Sequence, residues 1–169
     1  EEAADVLTEA ILDNRLSLPN WSHEVDQLIA RINCASEWCP EWSIPKIDPA
    51  AKRAIIQQVC LGARGKKDLK NREVLPQIRG WLSSNQMDCI EKQFPERLEL
   101  PNGNRAKLFY TESEPPVASV QIQRLYDVVE TPTIACGRVR VLLHILAPNQ
   151  RPVQVTEDLA GFWRGSYAG

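Results

Sequence analysis

The hydrophobic period of the chain changes near Pro95, and this change limits it to a fold of helices followed by strands. Before Pro95, apolar residues recur at helical spacing, as in the stretch Val6–Leu12. After Pro95, short apolar runs alternate with turn residues, a pattern typical of β-strands. The sequence therefore predicts an α+β protein. An N-terminal helical subdomain, residues 1–95, packs on a small mixed β-sheet, residues 96–169, that a C-terminal helix closes.

Capping residues predict where the helices begin. Asp48 offers a side-chain acceptor at an N-cap, and Pro49 then occupies the first helical position, where its missing N–H costs nothing. Asn20 or Ser22 is expected to cap an earlier helix, and Asn85 a later one.

Turn residues and apolar runs predict the strands. Asn102-Gly103 is the best hairpin signal in the chain, because a type I′ turn needs positive φ at both central residues. The run Val141–Leu146 is apolar on both faces and is expected to lie inside the sheet, with Val153–Val155 pairing back on it. Thr156 is expected to cap the final helix.

The positive charge of the chain is concentrated in one stretch. The net charge is −2 overall, yet residues 52–79 contain eight basic residues against Asp68 and Glu73. The core of this stretch, residues 62–73, is predicted to be a glycine-flanked loop that contacts a phosphate backbone, or else a solvated surface loop. The candidate nucleic-acid-binding residues there are Arg64, Lys66, Lys67, Lys70 and Arg72.

The last stretch of the chain is rich in aromatic and basic side chains. Phe162 and Trp163 are expected to pack inward and close the fold. Arg151, Arg164 and Tyr167 either touch RNA or a neighbouring domain, or help to close the fold.

The residues show no catalytic or metal-binding motif. Gly62-x-x-Gly65-Lys66-Lys67 lacks the spacing and the Lys-Ser/Thr of a phosphate-binding P-loop, and the two histidines, His23 and His144, are isolated. Five cysteines without a CxxC pair predict free thiols in a reducing cytoplasm. We therefore expect no catalytic residue, no metal and no cofactor in this chain, and no membrane segment.

Several blocks carry a family resemblance, in matching order and spacing. They are Pro101–Arg105, Pro115–Val120, Thr131–Val139, Leu146-x-Pro148 and, most specifically, Arg151–Tyr167, which reads RPVQVTEDLAGFWRGSY. With these blocks the chain resembles the C-terminal region of bacterial HrpB-type DEAH-family ATP-dependent RNA helicases. The match is strong over residues 97–167 and weaker over the helical part.

The resemblance implies a parent protein that couples ATP hydrolysis to RNA binding or unwinding. ATP and Mg²⁺ would bind in RecA-like domains upstream, and this region would be a non-catalytic accessory module. Its expected roles are RNA binding, core stability or partner docking, with the upstream helicase core and RNA as partners. The alternative is a protein–protein interaction module without nucleic-acid contact.

The resemblance also predicts that the parent protein is longer than this sequence. The sequence begins at Glu1 without Met and ends at Gly169, straight after a predicted helix. Family members usually continue with a basic segment containing Arg-Tyr-Pro-Lys-His. We therefore expect this chain to be a piece of a longer protein; its residues give no signal for an oligomeric state.

Overall fold

A computed structural model describes residues 2–112 and 114–165. Within these ranges the predicted α+β fold is confirmed. The helices are α1 Glu2–Leu12, α2 His23–Trp38, α3 Pro49–Cys60, α4 Lys66–Leu69, α5 Leu75–Arg79, α6 Ser84–Gln93 and α7 Leu159–Arg164. The strands are β1 Arg97–Glu99, β2 Arg105–Phe109, β3 Val117–Gln121, β4 Thr133–Ile134, β5 Val139–Arg140, β6 Leu142–Leu146 and β7 Pro152–Thr156. Short 3₁₀ helices span Pro40–Trp42 and Ile122–Leu125.

Five strands form one mixed sheet in the order β1-β2-β3-β6-β7. Its neighbours are antiparallel except β3 and β6, which pair in parallel with Val117 opposite Leu142. The strand predicted to be interior is β6, and it lies between β3 and β7 with Leu143 and Ile145 fully buried. Strands β4 and β5 form a separate antiparallel pair.

One continuous core joins the helices to the sheet, and Phe94 lies fully buried where the two parts meet. The Trp38 ring stacks parallel to the Phe94 ring at 6.3 Å, and the Trp42 ring meets it edge-on at 6.1 Å. Helix α7 closes the structure as predicted, because Leu159 and Phe162 are buried. The division of the chain near residue 95 stays a prediction.

The helix starts are partly as predicted. Asp48 caps α3, since its carboxylate accepts the Ala51 N–H at 2.8 Å. Ser22 precedes α2 but makes no side-chain cap bond. Asn20 does not cap that helix either, because its side-chain amide donates to the Arg72 carbonyl at 2.8 Å.

Two predicted caps are wrong. Ser83, not Asn85, caps α6 in a capping box, in which Ser83 Oγ accepts the Gln86 N–H and the Gln86 side chain accepts the Ser83 N–H. Asp158, not Thr156, caps α7 by accepting the Gly161 N–H at 3.0 Å. The Thr156 hydroxyl is bonded instead to the backbone of Asp158, which fixes the turn that precedes the cap.

The hairpin at Asn102-Gly103 joins β1 to β2 as predicted, but its turn type differs. Gly103 has a φ of 89° and donates its N–H to the Leu100 carbonyl, whereas Asn102 does not adopt positive φ. The Asn102 amide instead donates to the carbonyls of Arg124 and Tyr126, both at 2.8 Å. This tie to the neighbouring 3₁₀ helix selects a turn other than type I′.

The apolar stretch Val6–Leu12 lies in α1, as its helical spacing predicts, but not all of its apolar residues are buried. Val6 is 68% exposed, while Ala4, Leu7 and Thr8 face the core. Thr8 satisfies its hydroxyl by donating to the Ala4 carbonyl at 2.7 Å, so a polar residue is accommodated on the buried face.

Candidate nucleic-acid interface

The basic segment 62–73 is more ordered than the sequence predicts. A loop is expected over residues 62–73, but the one-turn helix α4 spans Lys66–Leu69 within it. Its Leu69 is fully buried, so the turn is anchored in the core while the basic side chains around it are exposed.

Hydrogen bonds fix both ends of this segment. The Arg64 N–H donates to the Asp68 carboxylate at 2.8 Å. The Arg72 guanidinium donates to the Leu61 carbonyl at 2.8 Å and is half-buried. Arg72 therefore holds the segment closed, and its guanidinium is less available to a ligand than those of its neighbours.

The remaining four cations of the segment point to solvent. Arg64, Lys66, Lys67 and Lys70 are all exposed. Within the described residues, none of the four lies within 4.0 Å of a carboxylate in an ion pair. The fold thus presents unneutralised positive charge on a short ordered turn.

The other candidate residues lie on different elements. Arg151 is exposed in the turn between β6 and β7, and Arg164 is exposed in the last turn of α7. Trp163 is half-buried and donates its indole N–H to the Val128 carbonyl at 2.7 Å, as expected of a packing residue. Tyr167 lies outside the described residues.

Sequence reasoning missed a second basic surface, on the solvent face of the sheet. A cavity of about 450 Å³ opens there, and we name it the sheet groove. Its side chains include four cations and three neutral polar groups: Arg97, Arg105, Lys107, Arg124, Ser119, Gln121 and Gln150. Arg151 directly follows Gln150, so one predicted residue adjoins this groove.

Strand alternation gathers these cations on one face. In β2, Arg105 and Lys107 are exposed, while the intervening Ala106 and the following Leu108 are buried. Arg97 of β1 is paired directly with Lys107. The alternation of charged and apolar residues over 105–109 was the signal that could have located the groove.

The charge of the sheet groove is mostly uncompensated. Arg105 pairs with Glu99 at 3.5 Å, but both side chains are about two-thirds or more exposed, so water screens the pair. Among the described residues, Arg97, Lys107 and Arg124 have no carboxylate within 4.0 Å.

The ion pair between Arg138 and Glu41 lies away from both basic surfaces. The Arg138 guanidinium donates two hydrogen bonds to the Glu41 carboxylate and one to the Trp38 carbonyl at 2.9 Å. Hydrogen bonding from Arg138 lowers the pKa of Glu41 to about 2. This pair ties the turn between β4 and β5 to the helical part, and its role is structural.

The described residues contain no obvious catalytic or metal centre. No cluster of His, Cys, Asp or Glu within 2–112 and 114–165 could hold a metal ion. The five cysteines are free thiols, three of them buried. Burial raises the pKa of the Cys39 and Cys60 thiols, which disfavours their reactive thiolate forms.

Among the described residues, no helix is long and apolar enough to cross a membrane.

Comparison with known proteins confirms the resemblance seen in the sequence. The family model HrpB_C, described as "ATP-dependent helicase C-terminal", matches residues 55–169. The ATP-dependent RNA helicase HrpB of Escherichia coli (strain K12) is 33% identical over 171 residues, which cover 99% of this chain and 21% of that protein.

Solved structures give the same match. The crystal structure of the E. coli DExH-box NTPase HrpB superposes with a TM-score of 0.84 at 33% identity, covering 95% of this chain and 20% of that one. The crystal structure of the E. coli DEAH/RHA helicase HrpB gives a TM-score of 0.77 at the same identity, covering 95% and 21%. This chain thus spans about a fifth of the length of the relatives it matches.

Proposed function

The chain belongs to the HrpB_C family of ATP-dependent helicase C-terminal regions, and on that premise we propose that it is a non-catalytic module that helps its parent helicase to hold RNA. ATP and Mg²⁺ bind, in this proposal, in domains upstream. The first partner of the module is the helicase core of the same chain, and RNA is the second.

The observation that carries this proposal is the exposed charge of segment 62–73. Arg64, Lys66, Lys67 and Lys70 project from a short turn anchored by the buried Leu69. Cations placed against a phosphate backbone release condensed counterions, and this release supplies affinity without sequence preference. An accessory module that holds RNA for a motor needs this kind of contact.

The test is RNA binding by the 169-residue chain at about 50 mM and about 200 mM salt. The probe is a fluorescent single-stranded RNA of about 12 nucleotides, followed by anisotropy. The variant Lys66→Glu/Lys67→Glu should bind more weakly and with a shallower salt dependence. The matched control is Lys46→Glu/Lys92→Glu, which reverses the charge of two other exposed lysines. It should bind RNA more tightly than the Lys66→Glu/Lys67→Glu variant.

Two results would contradict the proposal. Absence of RNA binding by the parent chain at low salt would remove the RNA role and favour the protein–protein interaction alternative. ATP hydrolysis by the purified chain would refute the non-catalytic assignment. A preparation made in the same way from cells that lack the gene for this chain is the control for contaminating ATPases.

A further inference from the structure

Strand β2 presents a straight row of three exposed side chains to solvent. Arg105, Lys107 and Phe109 alternate with buried neighbours and therefore lie on one face, about 6.8 Å apart along the strand. Two cations followed by an aromatic ring form a linear track, which suits an extended chain better than a compact ligand.

An aromatic surface stands at the end of this row. Phe109 is 50% exposed, and the exposed His23 ring stacks on it with ring centres 5.6 Å apart and planes 17° apart. A second cavity of about 340 Å³ lies between α2 and the β1–β2 hairpin, and it shares Arg97 and Lys107 with the sheet groove. The cations and the rings are therefore neighbours on one surface.

The groove is also held in shape before any ligand binds. The carbonyl of Arg124 accepts hydrogen bonds from the side-chain amides of Asn102 and Asn104, at 2.8 and 3.2 Å. This fixes the backbone of Arg124 against the β1–β2 turn. Ser119 and Gln121 of β3 supply neutral hydrogen-bonding groups on the groove floor.

Nearby carboxylates do not cancel this charge. Glu99 pairs with Arg105 on the surface, where an ion pair contributes at most about 1 kcal/mol and therefore holds the guanidinium only weakly. Glu96 lies 3.8 Å from the buried Arg31, and Glu24 lines the second cavity. Among the described residues, those that line the sheet groove include four cations and no carboxylate, and Glu99 reaches the groove only through its pair with Arg105.

We infer that the sheet groove binds one strand of RNA, with phosphates along Arg97, Arg105, Lys107 and Arg124 and a base against the exposed face of Phe109. This inference rests on the proposed function, because it names a site for the RNA that the module holds. A duplex keeps its bases stacked inside the helix and cannot present one to Phe109, so single strands are preferred.

The decisive variants separate charge from stacking. Arg105→Gln/Lys107→Gln removes two phosphate contacts, which should lower the salt slope by about 1.4 and weaken binding at low salt by at least about tenfold. Phe109→Leu keeps an apolar side chain but removes the ring, which should weaken binding by about fivefold and leave the salt slope unchanged. Lys46→Gln/Lys92→Gln is the matched control and should change the salt slope less than the groove variant.

The probe is the same RNA of about 12 nucleotides, beside a duplex of equal length and a polyglutamate competitor. Arg124→Gln, on the 3₁₀ helix rather than on β2, is a second groove variant that leaves the strand intact. Circular dichroism and tryptophan fluorescence establish that each variant is folded. Preference for the single strand, with loss in both groove variants, supports the inference.

Other outcomes overturn it in distinguishable ways. If both groove variants bind like the control while Lys66→Glu/Lys67→Glu is weakened, the groove is not the site and the proposed function stands. If the parent chain binds no RNA, the proposed function falls and the inference falls with it. If duplex RNA binds as tightly as the single strand, the assignment to one strand of RNA is wrong. It is also wrong if polyglutamate displaces the labelled RNA as well as unlabelled single-stranded RNA does.

Discussion

Replacing the buried Arg31 by Met should lower the free energy of unfolding by about 2–4 kcal/mol. Arg31 is 3% exposed and donates Nε–H to the Phe94 carbonyl at 2.7 Å, a charge-assisted bond that contributes about 1.5–3 kcal/mol. Its ion pairs with Glu91 at 3.4 Å and Glu96 at 3.8 Å add only about 1 kcal/mol together, since both carboxylates are about half exposed.

The exposure of the two carboxylates sets the upper limit of this cost. Removing one partner of a fully buried ion pair costs about 3–5 kcal/mol, because the other charge is stranded without water. Glu91 and Glu96 regain water when Arg31 is replaced, so that penalty does not arise. Met preserves much of the apolar volume of the arginine stem.

The assay is urea unfolding followed by tryptophan fluorescence. The midpoint should fall in Arg31→Met while the slope m stays constant. Glu91→Gln/Glu96→Gln is the control and should cost less than about 1 kcal/mol. The reasoning is refuted if the control costs as much as Arg31→Met, because the carboxylates would then dominate. It is refuted equally if Arg31→Met lies within about 0.5 kcal/mol of the parent.

The caps of α6 and α7 and the Arg138–Glu41 pair can each be tested by substitution. Ser83→Ala removes the capping box of α6 and should cost about 1 kcal/mol by urea unfolding, whereas Asn85→Ala should be nearly neutral; the reverse order would contradict the assigned cap. Gly161→Ala should destabilise the protein on thermal unfolding, although alanine favours helices, because the added Cβ would overlap the capping carboxylate of Asp158; a raised unfolding midpoint would show that the cap moves aside. The folded-state pKa of Glu41, about 2, lies below its ordinary 4.5, so this pair stabilises the protein above pH 4.5 and the contribution is lost as pH falls towards 2. Arg138→Gln should abolish this loss of stability at low pH, and NMR titration should show the Glu41 pKa rising towards 4.5. An unchanged Glu41 pKa would show that Arg138 is not what lowers it.

Much of the fold could be predicted from the sequence because local chemistry decides it. Asp48 followed by Pro49 fixes a helix start, and the apolar run Val141–Leu146 fixes an interior strand, without reference to distant residues. Errors arose where a distant partner competes for a side chain. Asn20 and Asn102 are both good local capping or turn residues, yet their amides donate to backbone carbonyls at Arg72 and Arg124.

The sheet groove escaped prediction for a related reason. Along the sequence, Arg97 and Arg105 alternate with Glu96 and Glu99, so the local net charge is small and no basic stretch stands out. Strand pairing places Arg97 beside Lys107, and the fold brings Arg105 and Arg124 to the same groove, so cations that are separated in sequence become neighbours. The contiguous basic segment 62–73 was visible because its charge does not depend on strand pairing.

Parallel pairing of β3 with β6 also governs how quickly this fold can assemble. Val117 pairs with Leu142 across an intervening segment that contains the 3₁₀ helix and the β4–β5 pair, so the central ladder of the sheet closes a long loop. Loop-closure entropy must be overcome before that ladder gives any stabilisation, which slows folding relative to a sheet built from hairpins alone. Until that ladder forms, β3 and β6 each have an open hydrogen-bonding edge, which is a site where another chain can pair.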